Sequence, residues 1–203
     1  AVIERARDSG VSKVFMPNID DTTVEAMLNV CTAYKGYCFP MIGFHPTSVG
    51  ADSLFRIYEM KKLLSGEHPF VAVGEVGMDL YWDKTYLKEQ QKALDIQIQW
   101  ALEYHLPLVL HCREAFPELF EVMEPYKKTE LSGIFHSFTG TLEEAGQVLE
   151  YARFFFGING VVTFKKSSLA EVLPHIPLGR IVLETDSPYL APVPFRGKRN
   201  ESS

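Results

Sequence analysis

Few cysteines, no membrane-length apolar run and no surplus of positive charge are the first features of this 203-residue sequence. The cysteines number three, Cys31, Cys38 and Cys112. That odd count, without metal-knuckle spacing, fits reduced thiols in a cytoplasmic protein better than a disulfide framework. No stretch approaches the ~18 uncharged residues of a membrane span, so no membrane partner is expected. The opening Ala1-Val2-Ile3-Glu4-Arg5 has charges where a signal peptide would be apolar. A net charge of −6 excludes a basic coat for nucleic acid. It leaves a nuclease open, because carboxylates that hold cations make an active site acidic until the ions bind.

What is present is an alternation of apolar runs and amphipathic stretches. Strands are expected at Val11–Asn18, Cys38–Pro46, Phe70–Asp79, Leu106–Arg113, Leu131–Phe138, Phe154–Phe164 and Arg180–Asp186. Helices are expected at Thr22–Tyr34, Ser53–Ser65, Tyr86–Tyr104, Ala115–Lys127, Thr141–Tyr151 and Ser167–Pro174. Near-continuous runs such as Val71-Ala72-Val73-Gly74 indicate burial on both faces, the mark of a parallel sheet covered by helices. Asp52-Ser53 and Thr141 with Glu144 supply N-cap chemistry. Strand–helix repetition of this kind implies a doubly wound sheet or a barrel. Seven strands are countable and the chain opens within a helix. Residues 1–203 are therefore expected to form a single (β/α)8 TIM-like barrel domain of the α/β class, lacking the first strand and the last helix of a longer natural chain.

The polar residues carry the functional signal. His45, Glu75, His111, His136 and Asp186 each fall toward the C-terminal side of a different strand candidate. In a barrel those ends converge on one rim, the rim that hosts active sites. Imidazoles and carboxylates together are a ligand set for Zn²⁺, Mn²⁺ or a similar divalent ion. Singly, each has an ordinary reading: a hydrogen-bonded strand-end histidine, a capping Glu75, a turn-forming Asp186 before Ser187-Pro188. Their shared placement favours a common pocket. His68, His105 and His175 lack that placement and are expected at the surface or in packing. Cys112 should point to the strand face opposite His111, and Phe154-Phe155-Phe156 is expected in the core.

Five phrases stand out: Gly43-Phe44-His45-Pro46, Gly74-Glu75-Val76-Gly77-Met78-Asp79, His111-Cys112-Arg113, His136-Ser137-Phe138-Thr139-Gly140 and Glu184-Thr185-Asp186-Ser187-Pro188-Tyr189-Leu190. Taken together, they resemble the TatD family of metal-dependent deoxyribonucleases over essentially the whole chain. The resemblance implies an amidohydrolase-type barrel with two divalent metal ions (Mg, Mn or Zn). It implies 3′→5′ exonuclease or other deoxyribonuclease activity on DNA, single-stranded or at 3′ ends. Carried over position by position, it makes Glu75 the bridge between the ions and gives His111 and His136 to one of them. Asp186 would hold the other ion and help orient or deprotonate the attacking water. Glu75, Asp186 and His45 would form the catalytic group, with His45 and Arg113 near the phosphate. Arg196, Lys198 and Arg199 fall in the family's loop after the last strand, where contact with DNA phosphates competes with a solvated tail.

Family members begin with a strand ending in a His-x-His pair that serves the ion held by Asp186, and this sequence has no such pair. On the resemblance, that first site is impaired here. Two other readings follow: another amidohydrolase-type reaction on a cyclic amide, ester or phosphotriester, or a scaffold without activity. Glu75 in the place where such relatives carry a carbamylated lysine favours the nuclease branch, and metal content separates enzyme from scaffold.

Overall fold

The computed structural model describes residues 2–203. Its residues group into two compact units: Lys13–Ile134, and Phe135–Ser203 together with the N-terminal stretch up to Ser12.

In the first unit, β1 (Val14–Met16) pairs in parallel with β2 (Cys38–Pro40), and α2 (Val24–Ala33) makes the crossover. A second parallel pair joins β3 (Val73–Asp79) to β4 (Leu108–Arg113) through α4 (Leu87–Glu103). Helices α3 (Ser53–Lys61) and α5 (Phe116–Met123) complete the unit. Such short parallel strands, each followed by a helix, are what the apolar runs require: buried backbone polar groups must be paired, and the crossover must cover the sheet.

Helix α4 shows how one amphipathic face serves both packing and placement. Ala93, Leu94, Ile98 and Ala101 are buried on it, at helical spacing. On the same buried face Gln90 and Gln97 are spent on backbone. Gln97 accepts from the Phe44 N–H at 2.7 Å and donates to the Phe44 carbonyl at 3.3 Å. Gln90 accepts from the Asp79 N–H at 2.9 Å and donates to its carbonyl at 3.0 Å. Two side chains seven positions apart thus close the hydrogen-bonding of two strand-end segments.

In the other unit, α1 (Val2–Asp8) precedes α6 (Leu142–Leu149), β6 (Phe154–Ile158), α7 (Leu169–Val172) and β7 (Ile181–Leu183). Strands β6 and β7 pair in parallel. The remaining strand, β5 (Gly133–Phe135), lies at the division between the units. Edge-on rings fill this core, with Phe135 5.5 Å from Phe154 and Phe138 5.0 Å from Phe156. Arg5 of α1 makes a two-toothed ion pair with Glu201, at 2.7 and 2.6 Å.

Each expected strand and helix is found among the described residues, generally shorter than its apolar run. The run Phe154–Phe164 divides, since Asn159 caps a 3-10 turn at Gly160–Thr163 through its side chain. Thr141 and Glu144 form the expected capping box of α6, whereas Asp52 makes no side-chain cap. Ser53 instead turns its hydroxyl back on the preceding turn, accepting from the Gly50 N–H at 2.7 Å. Burial on both faces holds for β3, which is buried throughout, and fails elsewhere. Phe155 is exposed between buried Phe154 and Phe156, and Leu183 of β7 is 85% exposed. His68 packs against Phe70 and Tyr104, while His105 and His175 are exposed. All three cysteines are buried.

Candidate metal centre

In the unit of residues 13–134 the site is built around Glu75. The β3–β4 register shifts between Gly74 and Val76, which leaves Glu75 on a bulge rather than at a strand end. Bulges re-aim side chains, and they concentrate near active sites. The Glu75 N–H, out of the ladder, donates to the Asn18 carbonyl at 3.2 Å. Two residues on, Gly77 opposes His111 in the register at φ 144°, and a Cβ there would lie 1.9 Å from the His111 carbonyl oxygen. Only glycine lets β3 pass this close to the segment that carries the histidine.

His111 lies between two carboxylates. Its Nδ1 is 3.1 Å from Glu75 Oε1 and its Nε2 is 2.9 Å from Asp79 Oδ2. Burial pushes the imidazole down, but the hydrogen bonds and charges of Asp79 and Glu75 outweigh it and raise its pKa to about 9. For Asp79, burial works upward, and the His111 contact with the backbone N–H groups of Tyr81 and Trp82 brings its carboxyl below the usual range. The surroundings of His111 therefore stabilise positive charge despite being buried.

His45 follows β2 by five residues and caps the 3-10 turn Pro46–Ser48. Its Nε2 is 3.7 Å from Glu75 Oε1. The Thr47 N–H donates to His45 Nδ1 at 3.2 Å, and the Thr47 hydroxyl is 2.7 Å from the same nitrogen. A nitrogen that accepts has no proton, so the neutral ring has its N–H on Nε2, facing Glu75. His45 is consequently built to donate a hydrogen bond, even though His45, Glu75 and His111 place one donor atom each within 4.8 Å of one another.

The unit containing Phe135–Ser203 repeats the carboxylate–imidazole–carboxylate pattern. His136, immediately after β5, has Nδ1 2.8 Å from Glu184 Oε2 and Nε2 3.2 Å from Asp186 Oδ1. Glu184 also accepts from the Ser137 N–H at 2.5 Å. Gly157 makes room for it: a Cβ on that residue would sit 2.5 Å from Glu184 Oε1. Asn159 donates to the Ser137 hydroxyl at 2.7 Å, tying the turn after His136 to the end of β6.

These donors fit a divalent ion. Two ligands bonded to one ion at 2.0–2.2 Å can stand no more than about 4.4 Å apart. His111 Nδ1 with Glu75 Oε1 satisfies that limit, and so does His136 Nε2 with Asp186 Oδ1, two residues that the resemblance gives to different ions. In each case the other ring nitrogen faces a further carboxylate, Asp79 or Glu184, the arrangement that orients metal-binding histidines.

Of the residues expected from sequence, Glu75, His111 and His45 come together in one unit, and His136 and Asp186 in the other. Arg113 closes β4, its guanidinium 3.7 Å above the Tyr81 ring. Arg196 lies 4.5 Å above the Phe164 ring. It lines a cavity of about 280 Å³ with Lys166, Thr139, Ser167 and Ser168. Lys198 is 5.6 Å from the centre of the Phe195 ring, and Arg199 is exposed. Asp79 and Glu184 were missed as site residues. Strand periodicity offered the signal, since Asp79 shares parity with Glu75, and Glu184 with Asp186.

The family model described as TatD related DNase matches residues 1–203. The chain belongs to that family. Among curated relatives of this TatD-family chain is the metal-dependent hydrolase YabD of Bacillus subtilis, 34% identical over 203 residues, which are all of this chain and 78% of that protein. Another is the 3'-5' ssDNA/RNA exonuclease TatD of Pantoea ananatis, 34% identical, covering 98% of this chain and 78% of its own. The crystal structure of YJJV, a TatD homologue from Escherichia coli K12, superposes with a TM-score of 0.86 at 27% identity, over 99% of this chain and 77% of that one. The fold is accordingly α/β of the TIM-like barrel kind. The TatD-family assignment makes the chain a metal-dependent hydrolase acting on ester bonds. No described helix is long and apolar enough to cross a membrane.

Proposed function

We propose that this TatD-family hydrolase cleaves phosphodiester bonds of nucleic acid, removing nucleotides from 3′ ends of single strands in the cytoplasm. The observation that supports the reading best is the doubled motif, an imidazole held between two carboxylates around His111 and again around His136. Glu75, His111, His136 and Asp186 are the metal ligands in this reading, with Asp79 and Glu184 holding the ring nitrogens that face away from the ions. Two divalent ions, Mg, Mn or Zn, would supply an activated water and neutralise the charge that builds on the phosphate.

The residues do the rest. His45 presents its Nε2 proton to a phosphate oxygen, a role that the Thr47 contacts at Nδ1 preset. Asp186 orients the attacking water and takes its proton. Glu75, on its bulge, sets the position of the ligand group on which the geometry depends. Arg196, with Lys166 in the same cavity, offers positive charge for a neighbouring phosphate.

The test is a pair of substitutions with metal content and hydrolysis read separately. Glu75→Gln and Asp186→Asn are expected to abolish cleavage of a single-stranded oligonucleotide while circular dichroism stays unchanged. Cleavage at the unsubstituted rate in either variant, under the same metal conditions, would remove the assignment.

A further inference from the structure

The segment after β3 exposes two aromatic rings that the metal chemistry leaves unused. Tyr81 is 47% exposed and Trp82 70%, although both follow the fully buried end of β3. Rings of this size in water forgo the stabilisation that burial would give them. They are nevertheless held in place. The Tyr81 N–H donates to Asp79 Oδ1 at 3.0 Å, and the Leu80 N–H donates to the Arg113 carbonyl at 3.0 Å. Asp79 Oδ2 is the oxygen that meets His111. One carboxylate thus anchors both the aromatic pair and a ligand histidine.

The rings form a defined surface. Tyr81 and Trp82 meet edge to face, centroids 4.8 Å apart at 88°. The Arg113 guanidinium covers Tyr81 at 3.7 Å and reaches to 5.4 Å from the Trp82 centroid. Arg113 is therefore stacked rather than extended toward the ligand cluster, and the wide indole face of Trp82 stays open. An occupant that suits this surface has a flat π-system and negative charge close by, which is the chemistry of a nucleotide. In a duplex both faces of a base are covered by its neighbours, so only an unpaired base has a face to give.

We propose that Trp82, supported by Tyr81 and Arg113, is a stacking platform for an unpaired base of single-stranded nucleic acid, next to the His45–Glu75–His111 cluster. The inference rests on the phosphodiesterase reading above and adds what selects the strand. Trp82 contacts the base; Tyr81 and Arg113 are positioning residues.

The two tryptophans allow a direct measurement, since Trp100 is 1% exposed and Trp82 is the open one. Phosphorothioate-linked oligodeoxythymidylate, added to the magnesium-loaded protein, is expected to quench the emission, and Trp82→Phe is expected to remove that quench while retaining binding by anisotropy of a labelled strand. Trp82→Ala should weaken binding of the labelled strand by about tenfold or more. A blunt duplex of equal length, and a tetrahydrofuran abasic oligomer that has the backbone without bases, should leave the emission unchanged. Cleavage of the abasic oligomer should be the same with and without Trp82→Ala. Equal quenching by duplex, abasic and single strands would overturn the platform, as would wild-type affinity in Trp82→Ala. Loss of the proposed function shows differently: neither substrate is cleaved, yet the single strand still quenches Trp82.

Discussion

At the residue scale, the decisive question for the proposed metal centre is which nitrogen of each imidazole would face an ion. A histidine whose far nitrogen is unheld spreads over rotamers and loses affinity; one whose far nitrogen donates to a carboxylate is fixed and more basic. Asp79 and Glu184 supply that far partner for His111 and His136. Asp79→Asn keeps an acceptor of the same shape and removes the charge. Glu184→Gln does the same in the other unit. Each is expected to weaken metal binding by roughly 10- to 100-fold, and hydrolysis in proportion at limiting metal. Calorimetric metal titration against the unsubstituted protein gives the answer. An unaltered affinity in both variants would mean that these carboxylates only pack. Saturating metal should recover much of the rate, which separates orientation of a ligand from direct participation in the reaction.

At the element scale, α4 and the β3 bulge do the placing, and both are open to test. Gln97→Leu leaves the Phe44 N–H and carbonyl without their side-chain partner in a buried place, at a cost of about 1–3 kcal/mol. Urea denaturation should show that loss, and because Phe44 adjoins His45, the rate should fall further than metal affinity does. By contrast Thr141→Ala, which removes the α6 capping box, should cost ~1 kcal/mol and leave metal affinity unchanged. Equal functional loss in the two variants would show that general destabilisation, not placement, is what the assay reads. The strands and helices were legible because burial imposes apolar runs and helical spacing, and β3 and α4 stand where those patterns put them. Strand ends were less legible. His136 and Asp186 fall beyond β5 and β7, and Glu75 falls inside β3, because a bulge and a capped turn depend on tertiary contacts that no local pattern records. Asp79 and Glu184 lay within reach of a period-two argument that considered carboxylates as well as hydrophobes. Tyr81 and Trp82 did not, since sequence cannot tell an aromatic residue that stays exposed from one that packs.

At the scale of the whole molecule, the sign of the charge poses the sharpest problem. In the proposed reading, a chain of net charge −6 has to attract a polyanion. Divalent ions held at the proposed centre would answer part of it, by offsetting Glu75, Asp79, Glu184 and Asp186. The rest falls to local basic groups, and the segment Arg196-Gly197-Lys198-Arg199 concentrates them. Arg196 is held on Phe164 and shares a cavity with Lys166, so its charge is fixed in place; Arg199 is exposed and open to a phosphate. Each phosphate neutralised on a single strand contributes about −0.7 to the slope of log affinity against log salt. Replacing Arg196, Lys198 and Arg199 together with glutamine should therefore flatten that slope by about 2 if all three make contacts, and by about 0.7 if Arg196 alone does. Fluorescence anisotropy of a labelled single strand, measured from 50 to 200 mM salt with magnesium held constant, distinguishes the cases. An unchanged slope would mean that the segment is solvated rather than in contact with the strand, and would leave the metal ions as the principal source of attraction.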